Sequence, residues 1–155
     1  MVFAGCGYNF GRGYPVLKDT KKLFIDVVRN NTTEAGVERY FTMALYNEFN
    51  SAKTFQLVSR DDADATLETT ITFYSVTPVF FDPSGRAIQY RVSVKIRSVM
   101  RDREGNILVD SNEITDEDEY FIENNVIDIK RREHDAVKLI AEDVAEEILD
   151  LITGN

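Results

Sequence analysis

Cys6 is the only cysteine in the 155-residue chain, and it directly follows Phe3-Ala4-Gly5. A lone thiol behind small and apolar residues admits two readings: a signal cut between Gly5 and Cys6 with a diacylglycerol in thioether linkage on Cys6, or a chance cysteine near the terminus. Such a lipid ties a protein to a membrane surface without a spanning helix. One cysteine also excludes an internal disulfide and a cysteine-based metal cluster. Other reactive groups are scarce. His134 is the only histidine, which removes two-histidine metal motifs. Its position on the flank of an apolar helical stripe, near Val137 and Ala141, predicts a half-buried structural side chain rather than a catalytic base. The acidic run Glu113, Asp116, Glu117, Asp118 and Glu119 lacks the glycine and the ligand spacing of a calcium loop, and is expected to be a solvated loop. Gly11-Arg12-Gly13 has neither a strand before it nor a helix after it, as a phosphate loop requires. No metal, cofactor or catalytic constellation emerges. The chain reads as a binding protein, not an enzyme.

Composition narrows the partners. Eighteen Lys and Arg against 27 Asp and Glu give a formal net charge of −9. Nucleic acid is therefore not expected, because phosphate neutralisation needs a basic footprint. No run of 18 or more apolar residues is present, so no helical span is expected. The length fits one domain with a sizeable core.

The elements that must position any site follow from hydrophobic period. Residues 6–20, rich in glycine and aromatics, read as an extended lipidated tether behind a signal-peptide remnant at 1–5. A single domain is expected over 21–155. The run Leu23-Phe24-Ile25-Asp26-Val27-Val28 predicts a buried strand. Asn31 followed by Glu34 predicts a helix N-cap. Val37, Tyr40, Phe41, Ala44, Leu45 and Phe49 then form one helical stripe. A short strand is expected over 55–59, followed by an acidic turn at 60–64. Two long alternating strands come next. In the first, Leu67, Thr69, Ile71 and Phe73 point inward. In the second, Ile88, Tyr90, Val92, Val94 and Ile96 point inward, and Gln89, Arg91, Ser93, Lys95 and Arg97 outward. Asp82-Pro83-Ser84-Gly85 joins them as a type I turn. A second turn at 102–106 leads to Ile107-Leu108-Val109. A last helix is expected over 127–152, with Gly154 just past its end. The order β-α-β-β-β-(β)-α implies an α+β two-layer sandwich: two helices on one face of a mostly antiparallel four- to five-stranded sheet.

Several of these stretches carry a family resemblance. Cys6-Gly7-Tyr8-Asn9-Phe10 resembles the mature start of the LptE lipopolysaccharide-assembly lipoproteins. Ile25-Asp26-Val27-Val28-Arg29-Asn30-Asn31-Thr32 looks like that family's entry to its first helix. Ala63-Asp64-Ala65-Thr66-Leu67-Glu68-Thr69-Thr70-Ile71 is similar to its strand opening, and residues 79–90 to its central hairpin. Val144-Ala145-Glu146-Glu147-Ile148-Leu149 resembles its last helix.

The resemblance implies a protein of the outer membrane, held on the periplasmic side by a lipid on Cys6. It implies an LptD-like β-barrel as partner, plugged by this domain, and lipopolysaccharide as a ligand. The family's lipopolysaccharide contacts transfer to Arg86, just past the hairpin turn, and to Lys130 and Arg131 at the start of the last helix. The outward row Arg91, Lys95 and Arg97 is the expected barrel interface, since barrel lumens are polar. Two other readings stay open. One is a different envelope assembly or secretion scaffold of similar build. The other is a small-molecule carrier or enzyme with a pocket near Tyr90 or His134.

Overall fold

The computed structural model describes residues 19–122 and 126–154. Its elements run β1 (Lys22–Ile25), β2 (Arg29–Asn30), α1 (Glu38–Ala52), β3 (Gln56–Leu57), β4 (Ala65–Phe81), β5 (Ala87–Asp102), β6 (Ile107–Phe121) and α2 (Val126–Thr153). A 3-10 turn at Arg60–Asp62 precedes β4. The strands make one sheet in the spatial order β3-β1-β4-β5-β6, with β2 also paired to β4. The two helices lie against one face of it. The α+β two-layer class therefore holds.

The strand count and direction differ from the sequence expectation. Six strands form among the described residues; β1 pairs in parallel with β3 and β4, and β2 with β4, while β4-β5 and β5-β6 are antiparallel. Two causes are visible. First, α1 serves as the crossover that a parallel β1-β3 pair needs. Second, the apolar run expected as one strand is broken at Asp26, Val27 and Val28. Asp26 accepts the Val27 N–H on its own carboxylate at 3.0 Å, and the Val28 N–H leaves the ladder for Thr42 Oγ1 of α1 at 3.0 Å. Five residues from Ile25 to Arg29 thus lie along four on β4, from Leu67 to Thr70.

The start of α1 also differs. The helix begins at Glu38 behind Val37, which gives no side-chain cap, so Asn31 is not the N-cap. Asn30 organises the preceding loop instead. Its amide donates to the Glu34 carbonyl and to Glu38 Oε2, while its own oxygen accepts the Thr32 N–H. Glu38 in turn accepts the Gly36 N–H at 3.0 Å, while the Arg39 and Tyr40 N–H groups of the first turn go to the Gly36 and Val37 carbonyls.

The core lies between the helices and the inner face of the sheet. Phe41, Leu45 and Phe49 of α1 and Val137, Ile140, Ala141, Val144, Ile148 and Ile152 of α2 are buried there. They meet Leu23, Ile25, Leu67, Ile71, Val92, Val94, Ile96 and Met100 of the sheet. Each large apolar side chain so buried stabilises the fold by about 1.5–3 kcal/mol. Thr69 and Ser98 are buried polar exceptions, and they satisfy each other at 2.7 Å across the β4-β5 pair. Helix α2 ends where expected, with Gly154 at φ 76° donating to the Asp150 carbonyl.

Alternation along β4 holds only to Ile71. A register shift between Ile71 and Phe73 marks a bulge at Thr72. Beyond it the phase inverts: Phe73 turns outward and is 43% exposed, while Tyr74 and Val76 pack against the core. The expectation that Phe73 points inward is thereby corrected. The acidic run is corrected too, because it forms β6, a strand rather than a solvated loop. The sheet edge accommodates this. Glu113 and Glu119 lie opposite Arg97 and Arg91 of β5, and Glu117, opposite Ser93, lies diagonal to Arg91, which outweighs the poor strand propensity of acidic side chains.

Candidate functional site

The outer face of the sheet, away from the helices, is a cross-strand charge ladder. Arg91, Lys95 and Arg97 of β5 project there as their alternation predicts. Arg91 binds Glu119 at 2.6 Å and approaches Glu117 at 3.6 Å. Lys95 Nζ meets Glu113 Oε1 at 2.9 Å and lies 6.0 Å from the centre of the Phe73 ring. Arg97 pairs through both Nε and Nη2 with Asp110. The guanidinium of Arg97 and the N–H of Asn112 hold the Asp110 carboxyl down at about 2. Asn112 sits at φ 57° in a bulge of β6, which turns Asp110 toward Arg97. The basic row is therefore neutralised by β6. Sequence reading found the cations and missed their partners, because it placed the carboxylates in a loop.

The β4-β5 hairpin extends beyond the helices. Asp82 closes its turn by accepting the Ser84 and Arg86 N–H groups at 2.9 and 3.0 Å, and Gly85 takes φ 83°. Arg86 Nε returns to Asp82 Oδ2 at 3.3 Å. Val79, Phe80 and Phe81 are exposed at this tip, and Phe121 of β6 is exposed beside it. Phe80 and Phe121 both pair with Gln89, so the three side chains form one row on the outer face. The apolar tip is a feature that sequence reading passed over. Its signal was available: the hydrophobic run Val79-Phe80-Phe81 directly precedes a turn.

Where the hairpin leaves the core, it is tied to α2. The Tyr74 hydroxyl donates to Glu133 Oε1 at 2.9 Å, and Glu133 is only 5% exposed. Lys130 reaches the same carboxylate at 3.1 Å and Glu34 at 3.6 Å. Burial, then the hydrogen bond to Glu133, pushes the Tyr74 hydroxyl far above the usual tyrosine range. Burial first, then the Glu133 charge, pushes Tyr120 up to about 12. Tyr120 also stacks on Tyr90, with ring centres 5.7 Å apart.

Arg131 lies one residue after Lys130 but pairs with Asp128 at 2.9 Å. The structure thus brings Lys130 and Arg131 onto one helical turn and holds them by different carboxylates. His134 is exposed, not half-buried, and its ring lies against Tyr40 at 5.8 Å. The gap between α2 and the sheet beside Met100 and Ile148 is closed to water. Among the described residues, no group of three or more His, Cys, Asp or Glu could hold a metal ion, and no helix is long and apolar enough to cross a membrane. Cys6, the remnant at 1–5 and the tether up to residue 18 lie outside the described residues.

Comparison with known proteins decides the family. The LptE lipopolysaccharide-assembly family matches residues 20–152. The chain belongs to the LptE family. Its fold recurs in an uncharacterized lipoprotein B from Nitrosomonas europaea, with TM-score 0.63 and 12% identity over 95% of this chain and 90% of that one. It recurs in a putative lipoprotein from Caulobacter crescentus, with TM-score 0.60 and 14% identity over 82% and 88%. The rare lipoprotein B of Shewanella oneidensis gives TM-score 0.58 and 12% identity over 84% and 92%. No curated protein gives a significant sequence match. Membership in the LptE family assigns the protein to lipopolysaccharide assembly.

Proposed function

We propose that the protein is anchored through a diacylglyceryl Cys6 to the periplasmic side of the outer membrane, partners an LptD-like β-barrel, and contacts lipopolysaccharide itself. The family match over 20–152 carries this reading. The outer sheet face supports the barrel partnership. Arg91, Lys95 and Arg97 with their paired carboxylates form a polar surface compatible with a wet lumen. The exposed Phe80, Phe81 and Phe121 give it an apolar end, the kind of patch that marks interaction sites.

Lipopolysaccharide contact is assigned to Arg86, Lys130 and Arg131. Each already holds a carboxylate, namely Asp82, Glu133 with Glu34, and Asp128. A phosphate must therefore displace or share those partners, and bidentate Arg–phosphate geometry favours the exchange. With a net charge of −9, affinity has to arise from local contacts and should fall as salt rises.

Tagged protein, expressed with a complete export signal and purified from solubilised outer membranes, should bring down a large β-barrel. Its mass should show an acylated Cys6. Arg91→Glu with Lys95→Glu should lower the barrel yield, because like charges then line the interface. Arg86→Ala, Lys130→Ala and Arg131→Ala together should remove most lipopolysaccharide binding at low salt. Wild-type barrel yield from the double variant would remove the outer face from the interface. Absence of both barrel and lipopolysaccharide from the parent preparation would overturn the function.

A further inference from the structure

At the root of the hairpin the outer sheet face has a groove of about 300 Å³. Parallel pairing sets Arg29 of β2 beside Thr70 of β4, and antiparallel pairing sets Thr70 beside Arg97 of β5. Ladder partners share a face, so Arg29, Thr70 and Arg97 form one row, with the two arginine backbones about 10 Å apart across three strands. Thr72, Glu68 and Arg101, with the apolar Val99 and Ile107, complete the lining.

The charge count at this groove differs from that of the ladder. Asp26 is approached by Arg60 at 2.7 Å and by Arg29 at 3.9 Å. Glu68 is approached by Arg29 at 3.7 Å and by Arg101 at 3.4 Å. Three guanidinium groups therefore share two carboxylates; of these, Arg29, Arg101 and Glu68 line the groove, where Arg97 is held by Asp110, and Arg60 and Asp26 lie outside the lining. In the ion pairs described above, each cation has at least one carboxylate of its own, and Arg91 and Lys130 each have two. Arg29 is held only at these long distances, and its side chain is 62% exposed. Its donors are poorly used, although a guanidinium fork is built for bidentate oxyanions. Glu68 sits between Arg29 and Arg101, where a better-placed oxyanion would satisfy both.

We infer that this groove is an anion site for a phosphate-bearing ligand, gripped by Arg29 and Arg101 with Arg97 and the Thr70 and Thr72 hydroxyls on its walls, and with Glu68 as the internal competitor. A tetrahedral phosphate accepts from several directions at once, which suits guanidinium donors arriving from two strands and the Thr70 hydroxyl from a third, with the Thr72 hydroxyl released from the Lys95 carbonyl it holds at 3.2 Å. The site is distinct from Arg86, which lies roughly 35 Å away along β5 at strand rise. It therefore stands or falls independently of the lipopolysaccharide contacts proposed above.

The test is a titration of the full chain with inorganic pyrophosphate at low salt, read by calorimetry and by arginine Nε–H resonances. Saturable binding with a Kd of about 1 mM or tighter is expected, with the Arg29 and Arg101 resonances moving first. Arg29→Gln should weaken binding about tenfold or more, as loss of a charge-assisted hydrogen bond does. Glu68→Gln should tighten it, a gain that misfolding cannot produce. Lys138→Gln, on the far face of α2, should leave it unchanged. Glucose 1-phosphate in solution and phosphatidylglycerol vesicles then separate a sugar phosphate from a lipid headgroup as the source. No saturable binding by the parent, or equal affinity in the parent, Arg29→Gln and Glu68→Gln, would overturn the inference.

Discussion

The root and the tip of the β4-β5 hairpin are built from the same two strands and do opposite work. Over residues 65–71 and 96–102, alternate side chains enter the core, and Leu67, Ile71, Ile96 and Met100 are at most 1% exposed. Over residues 78–86, the strands carry Phe80 and Phe81 more than half exposed. What changes between them is the cover above, since the helices lie over the root and the tip projects past them. A strand needs one packed face to be stable, and once that face is anchored its continuation is free to carry residues meant for something else.

The sharpest way to break this comparison is to truncate one apolar side chain in each region. Ile96→Ala at the root should cost about 2–5 kcal/mol in denaturant unfolding, the transfer loss plus a cavity. Phe80→Ser at the tip should stay within about 0.5 kcal/mol of the parent, as exposed substitutions do. Its effect should appear instead as a lower yield of co-purified barrel. A tip substitution as costly as the root one would mean that the tip folds back onto the domain.

The junction between the two regions gives an intermediate effect. Tyr74 is the first inward residue after the Thr72 bulge, and its hydroxyl ties the departing hairpin to Glu133. Tyr74→Phe removes one partner of a buried carboxylate and should cost about 1–3 kcal/mol. The same junction sets an alkaline limit. In the folded chain Tyr74 and Tyr120 resist ionisation, whereas in the unfolded chain they ionise near 10.0. Their contribution is therefore fully present below pH 10 and is lost as pH rises toward about 12, the value for Tyr120. Absorbance titration of tyrosinate, run beside unfolding at each pH, should show two late-ionising tyrosines and a falling stability. In Tyr74→Phe one of the two should disappear and the fall should be shallower.

How much of this was legible in the sequence follows the same division. The inward residues of β5 and the stripes of both helices are periodic, and they pack as their period requires. The misread stretches are those where a contact distant in sequence decides the local structure. Glu113, Glu117 and Glu119 become strand because Arg91, Lys95 and Arg97 of β5 lie opposite or diagonal to them. Phe73 faces out because one extra residue enters β4 at Thr72. Asn30, rather than Asn31, organises the entry to α1 because Glu38 reaches back to it. At the candidate site, the cations were readable from alternation and their neutralisation was not. A strand's own sequence fixes which residues share its face, but its neighbour and register fix what they meet.

The smallest expected effect concerns the ladder that runs along the outer face between root and tip. Arg91→Glu sets a third carboxylate beside Glu117 and Glu119, so it should destabilise slightly rather than leave folding untouched. All three side chains reach solvent, and exposed ion pairs contribute little. The melting temperature should therefore fall by no more than about 3 °C. The fall should shrink as salt screens the repulsion, because the charges lie in high-dielectric surroundings. Adding Glu119→Arg reverses the pair and should restore most of the loss. A larger drop that persists at high salt, with no rescue by the reversed pair, would show that Arg91 packs as part of the fold. The outer face would then resemble the root of the hairpin more than its tip, and its charge would cease to be available for a partner.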